Sequence, residues 1–248
     1  MSQVESAAGV SLVLLPGMDG TGQMFNSFTA ALPATIRSVV VTYPPDRPLG
    51  YPELEAIAEQ AFPAEGWFVV LGESFSGPLA MRIAARGHPR LAGIVLIASF
   101  VHNPLPRLGP ILRPFVGSWS FGFPPPCWTI RRYLAGADAP DDLIAEFQGA
   151  VRTVSPAVMA KRAREVLAVD VRGLLPRIRV PVLLLVAGHD RLVSTKMKDD
   201  FRELGDFFKY VCVDAPHLIL QRKPESAAEI IEGFLQRIRT GNPANESR

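Results

Sequence analysis

"LGESFSGP", residues 71–78, lies between the apolar run "WFVVLG" (67–72) and "SGPLAMRIAARG" (76–87), a helical pattern that stops at Gly87. A serine hydroxyl is a weak nucleophile at neutral pH. It needs a base within hydrogen-bond reach and donors for the oxyanion it creates. A sharp strand–serine–helix turn lifts the hydroxyl above a sheet edge and aims the next backbone N–H at the reacting carbonyl. Small residues flank such a serine because strand and helix pass so closely. Gly72-Glu73-Ser74-Phe75-Ser76-Gly77 fits that description, with Ser76 in place of the usual second glycine. An ordinary strand-to-helix turn is the competing reading, and the choice depends on whether the rest of the chain supplies partners for Ser74.

Working outward, short apolar runs alternate with helical patterns. "VSLVLL" (10–15) reads as a strand entering the loop "PGMDGTG", and "QMFNSFTAAL" (23–32) as a helix. "IRSVVVTYP" (36–44) is a strand stopped by prolines. "YPELEAIAEQAF" (51–62) is a helix with Pro near its start and acids suited to the N-terminal dipole. "LAGIVLIAS" (91–99), "VPVLLLVAG" (180–188) and "FFKYVCV" (207–213) are further strands. "KMKDDFREL" (196–204) and "PESAAEIIEGFLQRIR" (224–239) are further helices, and "TGNPANESR" is expected to fray. Near-continuous apolar strands separated by helices imply an α/β fold, a mostly parallel sheet covered on both faces.

The alternation breaks over residues 100–176, which read as a cap inserted into a core made of residues 1–99 and 177–248. Its first half holds Pro104, Pro106, Pro110, Pro114 and Pro124 to Pro126, too many for long helices. Its aromatic residues are Phe115, Trp119, Phe121, Phe123, Trp128 and Tyr133. Phe115, Trp119, Phe121, Phe123 and Trp128 are candidates to line an apolar acyl pocket; packing the cap onto the sheet is the alternative use for them. No acid occurs between Glu73 and Asp138, whereas Arg107, Arg113, Arg131 and Arg132 do. They suggest an anionic substrate or an acidic acyl carrier, against plain solvation of the arginines. Residues 140–170 have helical spacing, with "APDDLIAEF" as a start. An insertion after a parallel strand emerges at the carboxyl edge of the sheet, where such sheets bind ligands.

Four histidines compete as the base. His88 falls at the far end of the helix that Ser74 begins, His102 at the entrance of the insertion, and His189 beside Asp190. His217, in "DAPHLILQRKP" after the strand 207–213, reaches the same edge as Ser74 if the strands are parallel. Asp190 follows the strand 180–188 and is the first choice for the acid that orients the base. Asp214, which directly ends its strand, is the second. The second oxyanion donor is expected from the loop after the first strand, which gives the N–H groups of Met18 and Phe75 as the pair. A phosphate-binding reading of the glycines in "PGMDGTG" fails for want of a following Lys and of the G-x-G-x-x-G spacing.

The bulk properties suit a globular chain of one large α/β domain or two small ones. The chain has 248 residues, 48% hydrophobic and 20% charged, with a formal charge of +2, too small to argue for nucleic acid. Cys127 and Cys212 match no zinc or redox spacing and are expected to be free thiols. "MSQVESAAGV" has neither a basic start nor an apolar core, so no secretion signal is expected. No apolar run is long enough for stable membrane insertion, and a cytoplasmic location is the expectation.

The pieces "LVLLPGMDG", "VVLGESFSGPLAMRIA", "VPVLLLVAGHDRLV" and "DAPHLILQRKPESAAEIIEGFL" resemble the α/β-hydrolase superfamily, over residues 10 to 240. The resemblance implies the α/β-hydrolase fold, a triad of Ser74, Asp190 and His217, and a cap between the sixth and seventh family strands. It has departures: Pro16-Gly17 stands where the family loop often has His-Gly, Ser76 replaces a glycine, and Pro216 stands where a glycine usually precedes the histidine. Residues 1–9 leave little room for the first family strands, so a shortened sheet is expected. "PGMDGTG" also resembles the corresponding loop of plant phytyl ester synthases, which keeps an acyltransferase open beside an ester or thioester hydrolase. A non-catalytic ligand receptor and an amidase or peptidase also remain. Dehalogenases of this fold need an Asp nucleophile, which Ser74 opposes. The triad chemistry calls for neither a metal nor an organic cofactor.

Overall fold

The structure, a computed structural model, describes residues 10–107 and 109–240. The N-terminal stretch before Val10 and the tail expected to fray after Thr240 lie outside the described residues.

The chain begins with β1 (Ser11–Leu15), α1 (Asn26–Ala31), β2 (Ser38–Val40), α2 (Tyr51–Gln60), β3 (Phe68–Glu73), α3 (Gly77–Arg86) and β4 (Leu91–Ile97). A largely helical excursion follows: α4 (Gly109–Leu112), α5 (Cys127–Ile130), α6 (Asp141–Arg152) and α7 (Pro156–Ala168). The core resumes with β5 (Val182–Ala187), β6 (Phe208–Val213), α8 (Ile219–Arg222) and α9 (Pro224–Arg239). Among the described residues the six strands form one sheet in the order β2-β1-β3-β4-β5-β6, every neighbouring pair parallel. The expectation of a shortened sheet rests on residues 1–9, which lie outside the described residues.

The strands are apolar on both faces because both faces are covered. Val13, Leu15, Val70, Ile94, Leu96 and Leu184 join a core under α2 and α3. Leu12, Leu14, Leu71, Val95, Ile97 and Leu185 join another under α1 and α9. Glu55 of α2, fully buried, is held by Arg82 at 3.0 Å and Arg86 at 2.6 Å from α3.

Two elements differ from the sequence reading. The strand expected over 36–44 pairs over Ser38–Val40 alone. Beyond it the chain leaves the sheet edge, and Tyr43 N–H donates to Gly20 O at 2.8 Å instead of extending the ladder. The α-helix expected over 196–204 is a set of 3₁₀ turns spanning Thr195–Phe207, broken by Gly205 at φ 55°. Within the insertion, Pro114 and Pro124 to Pro126 confine the first half to single turns, and Pro140 leads into α6.

At its two ends the segment 100–176 joins the core under α2 and α3 through Phe100, Val101, Val169, Val171 and Leu175, and its middle rests on two small apolar clusters. Ile130, Ala135, Leu143 and Ile144 pack with Met24 and Leu218. Val154, Val158 and Met159 pack with Met18 and Phe121. Met18 lies in the loop after β1, and Leu218 is adjacent to His217. Both clusters therefore sit beside segments that carry candidate site residues.

Candidate active site

In a parallel sheet, every loop that leaves a strand's carboxyl end lies along one edge. The loop after β1 brings Met18, the turn after β3 brings Ser74, the loop after β5 brings Asp190 and the loop after β6 brings His217. Asp190 and His217 are 27 residues apart in the chain, and Ser74 and His217 are 143 apart, yet the three side chains meet.

His217 Nδ1 donates to Asp190 Oδ2 at 2.7 Å. An ionised carboxylate can only accept, so Nδ1 carries the ring proton. Nε2 is then the acceptor, and Ser74 Oγ donates to it at 2.9 Å. The side chains of His217 and Asp190 are 4% and 2% exposed, so water does not compete for this pair. The other oxygen of Asp190, Oδ1, accepts from the N–H groups of Leu192 and Val193 at 2.8 and 2.9 Å. The carboxylate thus caps its own turn while its second oxygen stays aimed at the imidazole.

The other histidines are elsewhere. His88 stacks edge-on against Phe62 and Phe68. His102 lies 3.2 Å from Asp200. His189 Nε2 lies 2.6 Å from Asp214 Oδ1, an exposed pair. Asp214, the second choice for the acid, is therefore turned away from His217.

Ser74 adopts φ 48°, a left-handed conformation that costs a non-glycine residue about 1–3 kcal/mol. The surroundings hold it there. Ser99 Oγ donates to Ser74 O at 3.0 Å, and Tyr51 Oη donates to Phe75 O at 2.9 Å while its ring stacks on Phe75 at 5.0 Å. A Cβ on Gly72 would stand 2.5 Å from Ser76 O, and one on Gly77 would overlap the Ser99 side chain. These are the close approaches that the flanking small residues permit.

Ser76, the departure from glycine, has a definite place. Its Oγ donates to Pro16 O at 2.5 Å. Its hydrogen is committed there, so Tyr43 Oη is the donor in the 2.7 Å contact with Ser76 Oγ. The hydroxyl ties the turn after β3 to the loop after β1.

Phe75 is the second residue of a single 3₁₀ turn, Ser74–Ser76, so its N–H has no acceptor within the turn. Met18 lies in the tight turn closed by Gly20 N–H donating to Gly17 O at 3.0 Å. Beneath this loop lies Glu73, 5% exposed, with Oε1 accepting from Gln221 Nε2 at 2.9 Å. Burial pushes its carboxyl up to about 7, against the opposing pull of the Gln221 donor.

The aromatic residues proposed for a pocket separate into two groups. Phe115, Trp119, Phe123 and Trp128 are exposed, between 68% and 89%, and join none of the buried apolar clusters. Phe121 alone is half-buried, beside Met18, Val158 and Met159. The prolines around these residues keep the segment in single turns too short to fold over its own side chains. Cys127 and Cys212 are free and exposed. Among the described residues no group of three or more His, Cys, Asp or Glu side chains is placed to hold a metal ion, and no helix is long and apolar enough to cross a membrane.

Sequence reasoning missed Tyr43, Ser99, Gln221 and Arg162. Arg162 left a signal. It falls at helical spacing on the same stripe of α7 as Val158 and Met159, where a charge is out of place, and it is 1% exposed. The other three left none: Tyr43 and Ser99 are ordinary polar residues just past strands, and Gln221 is one within the short helix α8.

Known proteins give an independent measure. The profile of the alpha/beta hydrolase family matches residues 12–230. Pimeloyl-[acyl-carrier protein] methyl ester esterase of Neisseria meningitidis serogroup C is 26% identical over 243 residues, covering 90% of this chain and 92% of that protein. A hydrolase from Oleispira antarctica superposes with a TM-score of 0.77 at 16% identity, covering 93% and 92% of the two chains. The enol-lactonase from Burkholderia xenovorans superposes at 0.72 with 18% identity, covering 92% of each. At such identities the two structures establish a shared fold.

Proposed function

The chain belongs to the alpha/beta hydrolase family, and we propose that it is a serine hydrolase of carboxylic esters, thioesters included. One observation carries this reading: the unbroken chain from Ser74 Oγ to His217 Nε2 at 2.9 Å and from His217 Nδ1 to Asp190 Oδ2 at 2.7 Å. The protonation pattern deduced for it is the one that general-base catalysis requires.

In the reaction, Ser74 Oγ attacks the acyl carbon as its proton passes to His217 Nε2. Asp190 stabilises the imidazolium. The carbonyl electrons move onto oxygen, which accepts from the N–H groups of Met18 and Phe75. Collapse breaks the bond to the leaving alkoxide or thiolate, which takes the proton from His217. Water then enters, loses a proton to the same Nε2, and releases the acid by the mirror sequence.

The substrate's acyl part is apolar, a reading supported by the cluster of Met18, Phe121, Val154 and Val158 beside the oxyanion loop. An acidic acyl carrier as the bearer of that group is supported by the name of the Neisseria relative and by the exposed Arg107, Arg113 and Arg132 of the insertion. Ser74→Ala should abolish turnover of p-nitrophenyl esters with an unchanged circular dichroism spectrum, and a fluorophosphonate probe should label Ser74 alone. Unchanged turnover in that variant overturns the assignment. Loss of rate with added salt for carboxylate-bearing but not neutral esters tests the role of the arginines.

A further inference from the structure

Arg162 is among the largest fully buried side chains of the protein, and it belongs to the insertion, not the core. From α7 it reaches under the loop after β1. Nη1 donates to Met18 O at 2.9 Å and to Asp19 O at 2.6 Å, and Nη2 donates to Pro44 O at 3.2 Å. The guanidinium lies 5.5 Å from the centre of the Tyr43 ring, whose hydroxyl bonds Ser76. Gly20, at φ 72°, leaves room for it: a Cβ there would stand 2.5 Å from Nη1.

Burying a cation is costly unless every donor has a partner and a counter-charge is near. Here the partners are three carbonyls and an aromatic face. The nearest compensating charge is Asp19, itself buried, whose Oδ1 is fixed by Thr21 N–H at 2.9 Å and by Thr21 Oγ1. A buried apolar side chain would suit stability at least as well. What the guanidinium adds is geometry: Nη1 gives one hydrogen to each of two consecutive carbonyls, and the rigid plane it shares with Nη2, anchored on Pro44 O, fixes its direction.

Those carbonyls belong to Met18 and Asp19. The carbonyl of Gly17, which shares its peptide with the Met18 N–H, accepts from Gly20. The Met18 N–H is thereby held from both sides. On the same helix, Val158 and Met159 pack in the cluster that includes Met18, and Ser155, which caps the helix start, donates its N–H to Pro45 O at 2.8 Å.

We propose that Arg162 is a positioning residue that aims the Met18 N–H at the oxyanion, so that the insertion completes the catalytic machinery of the core. The inference rests on the serine hydrolase reading above. An oxyanion donor acts fully only when it is in place before the reaction, and a displacement of about 1 Å costs roughly 100-fold in rate. Arg162 touches no reacting atom; its effect passes through the Met18 peptide.

The test uses the full-length chain, p-nitrophenyl butyrate, and a count of active sites by stoichiometric fluorophosphonate labelling. Arg162→Met keeps length and removes charge and fork. Arg162→Lys keeps the charge on a single point donor. The expected result for Arg162→Met is a drop in kcat per labelled site of about 10- to 100-fold, with KM within threefold and an unchanged acid limb of the pH–rate profile, since His217 and Asp190 are untouched. Arg162→Lys should recover part of the loss. Wild-type kcat per site in folded Arg162→Lys and Arg162→Met overturns the inference. So does a loss confined to the number of labelled sites, or to KM, either of which marks a purely structural residue. If neither variant folds, the guanidinium is a folding determinant and the inference falls. A wild-type chain that neither turns over esters nor takes the label at Ser74 removes the underlying reading, a separate outcome.

Discussion

His217 and Asp190 share a hydrogen bond of 2.7 Å between two side chains almost sealed from water, while Asp214, three residues before His217, is 90% exposed and bonded to His189. Nearness in sequence would have favoured Asp214. The direction in which each carboxylate leaves its strand end decides otherwise.

Exchanging the two acids tests this. Asp190→Asn preserves the size of the side chain and its turn cap but favours the wrong imidazole tautomer. The expected loss in kcat is about 10³–10⁴-fold on p-nitrophenyl esters. Asp214→Asn should stay within twofold of the wild type. Equal losses in the two variants would assign the acid differently.

Glu73 makes stability depend on pH. Its carboxyl, at about 7 in the fold against an ordinary 4.5, keeps its proton where the unfolded chain has lost it. The folded state binds more protons between these values, so this contribution is complete below pH 4.5 and is lost as pH rises through about 7. The shift corresponds to roughly 3 kcal/mol. Glu73→Gln removes the charge and should stabilise the protein by about 1–3 kcal/mol at pH 8, with little effect at pH 4. Urea unfolding at the two pH values measures the difference, and a gain that is larger at pH 4 contradicts the assignment.

Ser76 and Tyr43 should behave as one unit. Ser76→Gly installs the residue usual in such turns, yet it strands the Tyr43 hydroxyl and Pro16 O, and a cost of about 1–3 kcal/mol is expected. Tyr43→Phe in the same background removes the stranded hydroxyl. The double variant should therefore be less destabilised than the sum of the single ones, by about 0.5–3 kcal/mol in a cycle of urea titrations. Strict additivity would mean that the bond contributes nothing.

The glycines of the turn are distinguishable from glycines that only cap. Gly72→Ala drives a Cβ to 2.5 Å from Ser76 O, a backbone atom that cannot rotate away. It should destabilise by about 2–3 kcal/mol and lower kcat through the displaced Ser74. Gly87→Ala, at φ 72° with nothing within 4 Å, should cost only about 1–2 kcal/mol and leave kcat unchanged. Thermal unfolding with parallel esterase assays separates the two.

The alternation of apolar runs and helical patterns determined the parallel sheet, because a strand buried on both faces has little freedom in composition. Chain order and strand ends were enough to nominate Ser74, Asp190 and His217, since parallel strands deliver their following loops to one edge. Tertiary structure alone decided that Arg162 crosses from α7 to Met18, 144 residues away, that Ser76 reaches Pro16, and that Phe115, Trp119, Phe123 and Trp128 are exposed while Phe121 packs beside Met18. Periodicity along the chain reports which face of an element is buried. Which polar group meets which across the interior depends on how elements distant in sequence pack, and no local pattern encodes that.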